Sequence, residues 1–111
     1  GTQMYEVISN EREVGGKTID TFKRDIYNAN ILEVEAGTNG YQGGDTGHGS
    51  RTYIRIQDMG GTDIDVHVTH DQCGREDGVV IGLGGDSELT TIIEALKFIT
   101  EVLDDQRREV D

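Results

Sequence analysis

From Ser87 to about Arg107 the chain carries one apolar stripe at positions three and four apart: Leu89, Ile92, Ile93, Leu96, Ile99, Val102 and Leu103. That spacing is the period of an α-helix with one greasy side. At 1.5 Å per residue such a helix is about 30 Å long, enough to cross a small sheet. Asp86 or Ser87 is placed to cap its first-turn amides. Glu88 suits the positive end of the dipole, and Arg107 and Arg108 suit the other end. A helix of this kind needs a flat apolar surface to lie on. The upstream chain offers strands for it, by two-residue alternation.

In Ile31–Gly37, Leu32, Val34 and Ala36 face one way and Ile31, Glu33 and Glu35 the other. Arg51–Asp58 repeats the pattern, with Thr52, Ile54 and Ile56 toward the core. Asp63–Thr69 follows after a Gly60-Gly61 turn, with Ile64, Val66 and Val68 inward. Val79–Leu83 is more uniformly apolar, as a central strand covered on both faces would be, and Asp71–Gly78 before it is a polar loop. Near the start, Met4–Ser9 alternates as a short strand and Gly15-Gly16 marks a turn. Thr18–Asn30 places Ile19, Phe22, Ile26 and Tyr27 near helical spacing and is expected to be a helix, with a strand as the alternative over Asp25–Tyr27. The expected fold is α+β in a single domain, 1–111. It has a four- to five-stranded, mainly antiparallel sheet with the long C-terminal helix packed on one face. The outward face of the sheet would gather Glu33, Glu35, Arg51, Tyr53, Arg55, Asp65 and His67.

Only 33% of the 111 residues are hydrophobic, with no Trp and two Phe. So thin a core makes a homo-oligomer an expectation. The formal charge of −12, from 22 acidic and 10 basic residues, argues against nucleic acid or an anionic membrane surface as partner. It suits a basic protein partner, or simply solubility. The single Cys73 fits a reducing, cytoplasmic setting. No apolar run approaches the roughly 20 residues that span a bilayer, and no signal-like start is present.

The segment Gly37–Arg51, GTNGYQGGDTGHGSR, holds six glycines between Gly37 and Gly49. Tyr41 is its one large apolar side chain, so burial cannot be what orders it. Glycine admits backbone shapes closed to other residues and lets another molecule approach the main chain. Asp45, His48 and Arg51 lie three apart. Free amides near Gly43 and Gly44 can form an anion-binding nest, and Arg51 offers a planar fork for phosphate or carboxylate. Tyr41 or Tyr53 would stack on a base, Arg55 would add charge, and His48 would donate or titrate near neutrality. The competing reading is a glycine-rich hairpin whose polar side chains bond only its own backbone. The loop lacks the terminal Gly-Lys-Ser/Thr of a nucleotide triphosphatase.

Other features are weaker. Gly82–Ser87 reads as a strand-to-helix turn with a cap. His67, His70 and Cys73 suggest a metal by residue type, but no fourth ligand has telling spacing. Ser50 beside His48 is not at nucleophile-elbow spacing, and Cys73 with His70 has no supporting context. No cofactor and no metal are implied.

The runs ILEVEAGTNGYQGGDTGHGSRTYIRIQDM (Ile31–Met59) and GVVIGLGGDSELTTIIEALKFIT (Gly78–Thr100) resemble small proteins of Firmicutes and their phages that carry no characterised activity. In scale the chain is also similar to two phage anti-defence groups: sponges that sequester nucleotide immune signals, and anti-CRISPR inhibitors. The sponge resemblance implies a small oligomer with glycine- and arginine-lined pockets. The leading expectation is therefore a non-enzymatic module holding an anionic, nucleotide-like molecule through Tyr41, Gly43, Gly44, Asp45, His48, Arg51, Tyr53 and Arg55. Its alternative is an acidic interaction or inhibitor protein engaging a basic partner, and third comes a small enzyme using His48.

Overall fold

The computed structural model describes residues 6–43 and 47–107. Its elements in chain order are β1 (Ile8–Val14), β2 (Lys17–Tyr27), β3 (Ile31–Thr38), β4 (Thr52–Gly60), β5 (Ile64–His70), β6 (Glu76–Leu83) and α1 (Asp86–Gln106). The first four strands form an antiparallel meander in the order β1-β2-β3-β4, and β5 pairs with β6 in a separate two-stranded ribbon. The α+β expectation holds, with the helix on one face of the four-stranded sheet.

Two expectations are corrected. Thr18–Asn30 is not a helix: β2 is an eleven-residue strand paired on both sides. Gly15 and Gly16 both take positive φ, 54° and 81°. Two such residues make the tight turn whose twist matches paired strands, so they join two strands rather than end one. Thr18, Ile19 and Thr21 add β-branched side chains that favour a pleated surface. The second correction concerns Val79–Leu83. It lies in β6, which among the described residues pairs with β5 alone and whose side chains are largely exposed, so it is no covered central strand. At the N-terminus β1 begins at Ile8, later than the Met4–Ser9 expectation, of which Met4 and Tyr5 lie outside the described residues.

The core follows from alternation. Ile26 of β2 and Val34 and Ala36 of β3 pack against Ala95, Phe98, Ile99 and Val102 of α1, flanked by Phe22, Ile56, Ile92 and Leu103. Leu32 on the same face of β3 is fully buried. Gly37 sits where β2 passes close by: a Cβ there would lie 2.2 Å from the Asp20 carbonyl oxygen. The helix lies over β3 and, less extensively, β2. Ile54 of β4, on the same face as Ala36, is therefore left 54% exposed.

No side-chain cap closes the start of α1, contrary to expectation. Gly85 occupies the N-cap position, and Ser87 and Glu88 are used elsewhere. The Ser87 hydroxyl donates to Asn30 Oδ1 at 2.6 Å, and the Asp63 amide donates to Glu88 Oε2 at 2.9 Å. Asn30, 1% exposed, also donates through Nδ2 to the hydroxyls of Thr62 (2.9 Å) and Thr91 (3.1 Å). This polar knot ties the β2–β3 turn, the root of the ribbon and the helix start together. Arg107 stands at the C-cap and pairs with Asp104 at 3.2 Å, while Arg108 lies outside the described residues. No helix among the described residues is long and apolar enough to cross a membrane.

Candidate functional site

The two ends of the Gly37–Arg51 loop have a defined shape. Asn39 supplies it: its amide donates to the Arg51 carbonyl (3.1 Å), its Oδ1 accepts from the Arg51 amide (2.7 Å), and its Nδ2 donates to the Gly49 carbonyl (3.2 Å). A half-buried carboxamide satisfying two backbone groups, beside the main-chain bond of the same residue, fixes a hairpin base much as a further pair of ladder bonds would. The Gln42 side chain donates back to the Asn39 carbonyl at 2.5 Å. The Tyr41 amide donates to the Arg107 carbonyl at 3.2 Å, pinning the loop to the end of α1.

Arg51 does not face outward as a ligand fork. Its guanidinium donates to the carbonyls of His48 (2.6 Å), Ser50 (2.9 Å) and, in the β1–β2 turn, Gly15 (3.4 Å). It works as a staple between two turns. His48 is exposed, and Gly44 and Asp45 lie outside the described residues.

Tyr53 and Arg55 are on the sheet face opposite the helix. There Glu35, fully buried, accepts both arms of Arg12 at 2.8 Å and the Thr21 hydroxyl at 2.6 Å. The paired Arg12 fork, helped by Thr21, holds the Glu35 carboxyl at about 2 against the opposing pull of burial. The same pairing raises Arg12 above its ordinary value. Arg55 bonds Glu33 at 2.5 Å, lies 3.8 Å from Glu35, and also bonds Gln57. The Arg12 guanidinium lies 5.3 Å from the Tyr53 ring centre. Arg55, one of the two cations expected to meet a phosphate, is thus already matched by carboxylates.

Tyr41 goes elsewhere. It lines an open groove of about 300 Å³ on the helix side with Ser50, Thr52, Thr100, Asp104 and Arg107. The expected constellation is thus distributed over three places: Tyr41 in this groove, Arg51 inside the loop, and Tyr53 with Arg55 in the ion-pair cluster. Asp65 and His67 leave the sheet altogether; on the ribbon they bond one another at 2.8 Å. Among the described residues no three His, Cys, Asp or Glu side chains converge as a metal site.

The ribbon is what the sequence reading missed. Its register sets Ile64 opposite Leu83, Val66 opposite Ile81 and Val68 opposite Val79. Directly opposed residues share a face, so one side of the ribbon is aliphatic up to its turn end, where His70 stands opposite Glu76. Val66, Val68, Val79 and Ile81 are 53%, 48%, 59% and 37% exposed. The other side carries Asp65, His67 and Thr69. The alternation of Ile64, Val66 and Val68 was legible; that no layer lies over it was not. On α1, Leu89, Ile93 and Leu96 of the expected core stripe are also exposed, at 58%, 43% and 51%.

Comparison with protein-family models, curated proteins and solved structures gives no match, so function is argued from this chain's own geometry.

Proposed function

We propose that this chain is a non-enzymatic protein-interaction module that works through the β5–β6 ribbon. The observation that carries the reading is the ribbon's aliphatic face: six side chains in three opposed pairs, with no covering layer among the described residues. A two-stranded ribbon is marginal by itself in water. Exposed apolar surface gathered in one patch marks a contact surface more often than scattered single residues do. The root of the ribbon is firmly tied through Asn30, Thr62, Asp63 and Glu88, which points the face in a fixed direction. Replacing Val66 and Ile81 with Asp should abolish partner binding while leaving the circular dichroism of the sheet and helix unchanged. Binding that survives these changes refutes the reading.

A second reading keeps the small anionic, nucleotide-like ligand, now in the groove beside Tyr41. It is favoured by a loop shaped through Asn39 and docked on the end of α1. It also accords with the resemblance to phage sponges. Calorimetry with mono-, di- and cyclic nucleotides tests it: heat lost on Tyr41→Ala supports this site, and heat unaffected by Tyr41→Ala removes it.

A further inference from the structure

We infer that the surface covering the ribbon is supplied by a second copy of this chain, each copy laying its β5–β6 ribbon on the other's α1 flank beside β4. The inference rests on the interaction reading and names its partner.

Among the described residues two aliphatic surfaces are left unmatched. One is the ribbon face. The other is the flank of α1 with Leu96, Ile93 and Leu89, about one, two and three turns along from Thr100, which shares a groove with Thr52 of β4. Ile54, two residues beyond Thr52, is bare on the same side of the sheet. The two surfaces match in being mainly aliphatic, each with charge only at its border: His70 opposite Glu76 at the turn end of the ribbon, and Lys97 with Glu101 beside Leu96 on the helix. Of the other carboxylates in the two strands, Asp65 lies on the opposite face and Asp77 bonds Thr69 at 2.7 Å.

Shape agrees. The radius of gyration is 15.9 Å, against about 13 Å for a compacted chain of this length. The excess is what an arm held away from the body produces. Three residues, Gly61–Asp63, and two, Gly84–Gly85, connect the ribbon to the body. The Asp63 carbonyl accepts from Gly84 at 3.1 Å across those connections.

Size decides between one arm and two. A seven-residue ribbon is about 24 Å long and about 10 Å wide, so one docking removes only ~500 Å² in total, while reciprocal docking removes ~1,000 Å², the lower bound for a specific interface. A twofold pair is therefore the expected assembly. Since each copy carries a charge of −12, added salt should tighten this contact, whereas it would loosen a contact with a basic protein.

The test is sedimentation of the full chain over a range of concentrations at low and high salt. The expected result is a dimer favoured by salt. Val66→Asp/Ile81→Asp and, separately, Ile93→Asp/Leu96→Asp should each weaken it by about 100-fold, the cost of setting a carboxylate in an aliphatic contact. Mixing the two variants restores one intact arm facing one intact flank, so partial dimerisation should return. Cys73, exposed in the ribbon's turn, takes a donor or acceptor dye and reports the same mixing by energy transfer. Should an Asp variant fail to fold, Val66→Thr/Val68→Thr and Leu96→Thr replace it, with smaller losses of the same sign. A wild-type chain that stays monomeric overturns the inference, as does a dimer weakened by ribbon changes but indifferent to the flank. If the chain is monomeric yet its ribbon variants lose a salt-weakened complex with a basic protein, the second copy is wrong and the interaction reading stands. If ribbon changes alter no association at all, both fall.

Discussion

The body of the molecule and its ribbon use the same sequence grammar to opposite ends. In β3, Leu32, Val34 and Ala36 alternate with polar residues and are fully buried because α1 lies across them. In β5, Ile64, Val66 and Val68 alternate just as regularly, yet the last two remain about half exposed. Alternation therefore says that a face seeks cover. It does not say whether the same chain provides it. The polar sides differ as well. Glu35 on the body is enclosed by Arg12 and Thr21, whereas the Asp65–His67 pair on the ribbon is open to water and adds little stability.

The sharpest way to break this contrast is to truncate equivalent aliphatic side chains in the two regions. Ile26→Ala or Leu32→Ala should cost about 3–4 kcal/mol in denaturant unfolding, the usual loss for a fully enclosed side chain. Next in size is Glu35→Gln, which replaces the buried carboxylate held by the half-exposed Arg12 fork and by Thr21 with a neutral amide, and should cost about 2 kcal/mol at neutral pH. Its sign with pH is fixed. The folded-state carboxyl sits at about 2, below the ordinary 4.5. Its contribution is thus complete above about 4.5 and is lost as pH falls toward 2. The gap between wild type and Glu35→Gln should accordingly close over that interval; a constant gap would show that the carboxylate charge is not the stabilising feature. Asn30→Ala should cost about 2 kcal/mol, since it removes the carboxamide that bonds Thr62, Ser87 and Thr91 together, leaving Thr62 and Thr91 only the Ile31 and Glu88 carbonyls. Amide exchange should rise at Thr62, Asp63 and the first turn of α1, more than in β3. Smallest is Val66→Ala, within about 0.5 kcal/mol in dilute solution where copies do not meet. A loss there as large as for Ile26→Ala would mean the ribbon is covered within its own chain.

Much of this architecture could be read from residues alone. The helix announced itself through Leu89–Leu103, and β3 and β4 through strict alternation. β2 could not be settled by spacing, because Ile19, Phe22 and Ile26 fit a helical period as well as their neighbours fit a strand. The Gly15-Gly16 pair was the deciding signal, since it demands a strand on each side. Val79–Leu83 misled for another reason: an unbroken apolar run suits burial on both faces, but here Val80 merely sits among the polar residues of the ribbon's other side. The loop shows a limit of spacing arguments about sites. Asp45, His48 and Arg51 at intervals of three imply a shared concavity, yet the Arg51 guanidinium turns back onto carbonyls of its own loop. Local backbone groups compete for a cation at zero cost in chain closure, and no pattern of residue types reveals that competition.

The molecule measures 47 × 44 × 18 Å, and the short dimension carries its own consequence. A slab one sheet and one helix deep has no room to enclose a guest on every side. A small molecule in the open groove beside Tyr41 would keep one flank wet. Prolonged retention would have to come from a lid contributed by something outside the slab.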